Sequence, residues 1–312
     1  MPFDINRDVL NLDYKEELKK DNALLKDHFN IDPEVLKIRK LARKKIKKAL
    51  RKNGTLDWSK LPSIITNNPK LIKSGKYNII SDGIMFAPSH WSGYNLCAFA
   101  TSGCGMHCLT TSGHGQMHMK NAGTHHVHVA RVTRSILYME YRQQFFAKLL
   151  REIPNRIKKV AKDHPNENPT YSIRPNTTSD LRWEKIKIKD GKTLFELFPE
   201  IQFYDYTKDI NRDISHIKNY HLTFSLSEKN KMLVPLAFKK GMNVAMVLRV
   251  KPEDIKPDTY TLEIMKGHSI TKEAINGDLH DARFIDPENK FVVLSCKGSA
   301  FGDTSGFVQE LN

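Results

Sequence analysis

Apolar residues return at helical spacing in two long stretches of the chain. Val35, Ile38, Leu41, Ala42, Ile46, Ala49 and Leu50 make one stripe, the pattern of an amphipathic helix. Asp32, Pro33 and Glu34 provide a cap, a first-turn proline and a first-turn acid at its start, and Asn53-Gly54 stops it. Residues 129–153 predict a second helix, with Val132, Ile136, Met139, Phe146, Leu149 and Leu150 on one side.

Short apolar runs between polar turns predict strands: KYNII (76–80), YSIR (171–174), QFYDY (202–206), NYHLTFSLS (219–227), MNVAMVLRV (242–250) and FVVLSCKG (291–298). Helical segments are expected after Ser179, after Tyr206 and over 228–239. MNVAMVLRV has almost no polar residue, as a strand buried on both faces requires. Strands alternating with helices imply a parallel sheet with helices packed on it. The fold class expected is α/β: a parallel βα-repeat forming a complete or partial TIM-like barrel, with an open doubly wound sheet as the alternative. No GxGxxG or GxxxxGK[ST] follows a strand, which argues against a nucleotide-binding version. Residues 1–70 read as a helical, basic N-terminal extension and 71–312 as the barrel-like domain.

Charge changes this picture at one point. The net charge is +15, which suggests an anionic partner. Ten Lys and Arg with no acid lie between Lys37 and Lys52, and the rest of the chain carries only +5. That basic helix offers phosphate contacts to a nucleic acid; a solvated lysine face on a helix docked by its apolar stripe is the ordinary reading of such a run. No run of about 18 apolar residues occurs, so no membrane span is expected. The N-terminus lacks the apolar heart of a secretory signal. The four cysteines are unevenly spaced and do not read as a disulfide framework, which fits a reducing setting.

Three of the four cysteines, Cys97, Cys104 and Cys108, fall in the run NLCAFATSGCGMHC. Thiolates suit iron–sulfur clusters or zinc. Three of them can hold a [4Fe–4S] cluster with one iron open to a chelating co-substrate such as S-adenosylmethionine. Radical enzymes of that kind carry CxxxCxxC on the first loop of a partial βα barrel; the location agrees here and the spacing does not. Zinc is the alternative, because His107, His114, His118, His125, His126 and His128 crowd the same stretch. Cys296 ends a predicted strand and could approach the site; a buried free thiol is the ordinary reading.

Ligands of parallel sheets bind at the carboxyl ends of strands, and these ends are polar. Arg174, Asn176, Ser179 and Asp180 follow one strand; Asp205, Tyr206, Thr207 and Lys208 another; Ser225, Ser227 and Glu228 a third. Asp278, Asp281 and Arg283, then Lys297, Ser299 and Asp303, come near the C-terminus. Ser179 and Ser227 have the look of helix caps, with Glu228 as a first-turn acid. Arg174, Asn176, Asp180 and Ser225 are the expected substrate-binding residues, and Asp205, Lys208 and Glu228 the expected catalytic ones.

The ordered runs NLCAFATSGCGMHCL, VARVTRSILY, SIRPNTTSDLRWE, FYDYTK, NYHLTFSLSEKN, GDLHDARFIDP and KGSAFGDTSGFV together resemble the phage family called gene product 88, over about residues 76–308. The resemblance implies a phage origin, and so the cytoplasm of an infected host cell, and carries the three cysteines; it names no reaction. The function expected is an iron–sulfur, radical-type enzyme acting on a small molecule or nucleotide. A zinc-stabilised nucleic-acid-binding protein of phage replication is the alternative, and a metal-free host-interaction protein the third.

Overall fold

A computed structural model describes residues 33–108 and 126–310. Asp32, His114, His118 and His125, named above, lie outside the described residues. The first helix, α1 (Pro33–Ala49), buries Val35, Ile38, Ala42, Ile46 and Ala49 in the core that the rest of the chain builds. Its lysines face outward. Two arginines leave that face: Arg39 Nε donates to the Trp91 carbonyl at 2.6 Å, and Arg43 pairs with Glu140 at the end of a later helix.

Ten strands form one sheet. β1 (Ile65–Thr66) runs antiparallel to β2 (Ile79–Ile84). From β2 the sheet continues in parallel through β3 (Thr170–Arg174), β4 (Gln202–Thr207), β5 (Tyr220–Ser225) and β6 (Val244–Leu248). There β9 (Phe291–Ser295) adds to β6, then β8 (His268–Asn276) to β9, both parallel. β7 (Thr259–Met265) closes the edge as an antiparallel hairpin with β8. The five strands expected at YSIR, QFYDY, NYHLTFSLS, MNVAMVLRV and FVVLSCKG are therefore parallel neighbours. The order follows the chain from β2 to β6 without reversal, unlike a doubly wound sheet. The hydrogen-bonded path does not return on itself, so the sheet is not closed into the expected barrel.

Several expected helices differ. The stretch 129–153 is two helices, α3 (His126–Glu140) and α4 (Arg142–Asp163), divided at Tyr141. α4 runs on past Ile153 through Pro154. After Ser179 there is only a short turn at Trp183–Lys185, because the Asn176 side chain gathers this loop. Its Oδ1 accepts from Ser179 Oγ, the Leu181 amide and Trp183 Nε1. No helix follows Tyr206. The helix expected over 228–239 contracts to a turn and Val234–Lys239. Asn230 holds the preceding loop by accepting from the Ser227 amide and donating to the Ser225 carbonyl, and Pro235 suits only a helix start. The β7–β8 hairpin has no forerunner among the expected strands, although its first strand alternates exposed and buried positions. Among the described residues no helix is long and apolar enough to cross a membrane.

Candidate functional site

At the carboxyl ends β5 and β6 part company. β5 pairs with Val244 and Ala245 only, while β10 (Val308–Gln309) pairs with Val247 and Leu248 on the same strand. A cavity of about 220 Å³ opens above these ends. It is lined by all three cysteines and by Arg174, Asn176, Asp180, Lys208 and Ser225. Two expected residues, Asp205 and Glu228, do not line it, and both work from behind.

Glu228 fastens the cysteine segment. Cys104 lies in a short helix, α2 (Ser102–Met106), whose cap is Thr101. Glu228 accepts from Thr101 Oγ1 at 2.8 Å and from the Gly103 amide at 2.9 Å, so its carboxylate serves this helix and is not the first-turn acid expected over 228–239. A Cβ on Gly103 would stand 2.2 Å from Ser305 Oγ and 2.9 Å from Glu228 Oε1; glycine permits the approach. Asp205 fastens the other wall. Fully buried, it accepts from the Asn176 amide at 2.7 Å, Asn176 Nδ2 at 3.0 Å and the Tyr220 hydroxyl at 2.7 Å. Burial pushes its carboxyl up to about 7, against the pull of Arg212.

The three thiols are near enough to act on one another. Burial, Asp180 and Cys104 all push the Cys97 thiol up, and burial with Cys108 does the same to Cys104. Lys208 counters them. Its Nζ donates to Ser225 Oγ at 3.2 Å and hydrogen-bonds Cys104. Burial disfavours its charge, but Cys104, Cys97 and Asp180 outweigh burial and hold the ammonium above the usual lysine range. Among the described residues, no three His, Cys, Asp or Glu side chains form a compact group able to hold one metal ion.

The opposite wall is cationic. Asp281, fully buried, takes Arg174 Nη1 at 2.9 Å, Lys70 Nζ at 3.1 Å and the Tyr204 hydroxyl at 3.3 Å. Although burial works against it, Arg174, Lys70 and Arg283 hold this carboxyl well below the usual range. Lys70 and Arg174 flank the Tyr206 ring at 5.0 and 4.5 Å. At the rim Lys297 pairs with Asp278 at 2.7 Å. Lys70 carries no strand-end signal in the sequence: it sits on the short helix Pro69–Ile72 before the first parallel strand.

The other candidates separate. His107 lines the cavity and bridges Ser299 and Asp303 at 3.0 and 3.1 Å. His128 is buried edge-on against Trp91, and His126 is exposed. Cys296 packs with Ala300 and Val308 and does not line the cavity, although its neighbours Ser295 and Lys297 do.

No curated protein and no solved structure matches the chain. A family model does: described as Gene product 88, it matches residues 38–311. The chain belongs to the phage gene product 88 family, and the match takes in most of α1 as well as the sheet.

Proposed function

We propose that this protein is a metalloenzyme holding an iron–sulfur cluster on Cys97, Cys104 and Cys108, with its substrate, a small molecule or nucleotide, in the adjoining cavity. The observation that carries this reading is the convergence of all three cysteines on one cavity at the carboxyl ends of parallel strands. Three features support a cluster there. Cys296 is turned away, so three thiolates would leave one iron open. Lys208 places a cation beside Cys97 and Cys104, which favours their thiolates. Ligands of a cluster sit at its separate corners, so they need not form the compact group that one zinc requires with bonds of about 2.3 Å.

The arrangement of strands supports the radical-type version. The cysteine segment follows β2, the first parallel strand, and β2 to β6 lie in chain order, as in a partial βα barrel. A bound cluster with an open iron would supply one-electron chemistry and a seat for a chelating co-substrate such as S-adenosylmethionine. Glu228 would position the thiolate helix and Asp205 the Asn176 loop. Lys208 and Asp180, which line the cavity, are the groups placed to hold or move a proton at the substrate.

Purification without oxygen tests the proposal. The protein is expected to be brown, with about four iron and four sulfide per chain. Colourless protein carrying one zinc per chain, or none with three freely alkylated thiols, would overturn it.

A further inference from the structure

We infer that the corner of the cavity formed by Lys70, Arg174 and Tyr206 binds a phosphoryl group of the substrate. The inference rests on the reading of this cavity as the substrate pocket; it does not rest on the cluster.

Charge is the first argument. Lys70, Arg174 and Arg283 lie here around Asp281, with Asp205 and Asp286 as further carboxylates acting on the arginines; Lys73 and Lys297, both exposed, add positive charge beside Asp278. An anion entering this corner meets cations on several sides, and a phosphoryl group offers them more acceptor oxygens than a carboxylate does.

Unused donors are the second argument. Arg174 is 4% exposed. Its Nη1 reaches Asp281, but its Nε has no hydrogen-bond partner among the described residues. The Tyr206 hydroxyl is buried and likewise has none. Both residues line the cavity, and so does Lys70, whose ammonium pairs with Asp281 Oδ1 at 3.1 Å. A buried donor left unmade costs free energy, so an anion that accepts from Nε, Nζ and the phenol would complete the corner. Guanidinium and phosphate also match in geometry. The nearest balancing groups are already occupied: Asp278 takes Lys297 and Ser295, and Asp286 takes Arg283.

Calorimetry on the full-length protein tests this, with inorganic phosphate and pyrophosphate as probes and citrate as the carboxylate control. Both phosphates should bind, and binding should weaken with salt. Lys70→Gln should weaken it by about tenfold, and Tyr206→Phe by about three- to tenfold, since each removes a hydrogen bond to an anion. Lys187→Gln, an exposed lysine paired with Glu196, should change nothing. No phosphate binding, equal binding by the Lys70 and Tyr206 variants, or citrate binding as well as pyrophosphate would each overturn the assignment. Tyr206→Phe removes one oxygen without a partner, so it keeps the test open should Lys70→Gln misfold. Phosphate binding by protein without a cluster would uphold this corner and sink the metal reading; a cluster without phosphate binding would do the reverse.

Discussion

Two buried arginines at the carboxyl ends of the sheet live in opposite conditions. Arg212 is saturated. Its Nε and Nη2 grip the two Glu184 oxygens at 3.1 and 2.6 Å, Nη2 also meets the Tyr220 hydroxyl at 2.7 Å, and Nη1 reaches Asp180 at 3.4 Å. Arg174 uses one of its three nitrogens on one carboxylate and leaves Nε unmatched. Arg283 behind it is partly used: Nη1 pairs with Asp286 at 3.2 Å and Nη2 donates to the His280 carbonyl, while Nε has no hydrogen-bond partner among the described residues. Folding alone accounts for the first network, in which every strong donor has its acceptor. The second network leaves buried donors over, and the phosphoryl group inferred above would take them up. Asp180 belongs to both, since it lines the cavity and closes the Arg212 network.

Breaking each network in turn gives the largest effect. Arg212→Met leaves Glu184 and Asp180 buried without their cation, which costs about 3–5 kcal/mol. Arg174→Met leaves Asp281 still held by Lys70 and Tyr204, so its cost should be about 1–3 kcal/mol. Denaturant unfolding of both variants checks the order. An Arg174 variant as damaged as the Arg212 variant would mean that the two networks are equally structural.

Asp205 joins the closed network through Tyr220 and gives it a pH signature. Its folded carboxyl lies near 7, above the ordinary value of about 3.9 for an unfolded chain. The folded state therefore binds the extra proton between these values, and stability falls as pH rises from about 4 to about 7. Asp205→Asn abolishes that slope. It also offers one oxygen where three donors point, a cost of about 1–3 kcal/mol at pH 5. The gap between wild type and variant should narrow by about 1–3 kcal/mol by pH 8. Parallel stability curves for the two proteins would contradict the raised carboxyl.

The sequence exposes the two networks unequally. Strand ends rich in Arg, Asp, Asn and Lys mark the right places, because a parallel sheet puts successive carboxyl ends at one edge. Arg174, Asn176, Asp180, Lys208 and Ser225 were legible for that reason. The roles of Asp205 and Glu228 were not: side chains alternate along β4, and one step decides whether Asp205 faces the cavity or braces it from behind. Glu228 pairs with Thr101 across the fold, a distance in sequence that no local pattern carries. Lys70 precedes the first parallel strand and follows no strand-end rule. The α1 stripe was readable from periodicity, and the solvated lysine face followed from it. The missing helix after Ser179 was not, because one Asn176 side chain outcompetes helical hydrogen bonds there.

The thiol wall should behave like the open network in stability and unlike it in chemistry. Cys104→Ala removes one of three thiols from a half-buried position, and the surrounding sheet has its own core. Unfolding free energy in the metal-free protein should change by about 1 kcal/mol or less, while iron and sulfide content collapses. Protein that fails to fold on this change would point to a structural metal, because binding energy is then folding energy.

The smallest effect gives the sharpest comparison, because it rests on two tyrosines that differ by one oxygen's surroundings. The Tyr220 hydroxyl donates to Asp205 and accepts from Arg212. Tyr220→Phe strands both partners and should cost about 1–3 kcal/mol. The Tyr206 hydroxyl is as buried and has no hydrogen-bond partner among the described residues. Its removal relieves an unmet polar group, so Tyr206→Phe should leave stability unchanged or raise it by up to about 1 kcal/mol in the absence of phosphate. With pyrophosphate present the order should invert: wild type gains stability from the ligand and the Tyr206 variant gains less, as binding to the folded state alone requires. Equal losses from the two tyrosines without ligand would show that Tyr206 serves the fold as Tyr220 does, and would remove the contrast between a closed and an open network.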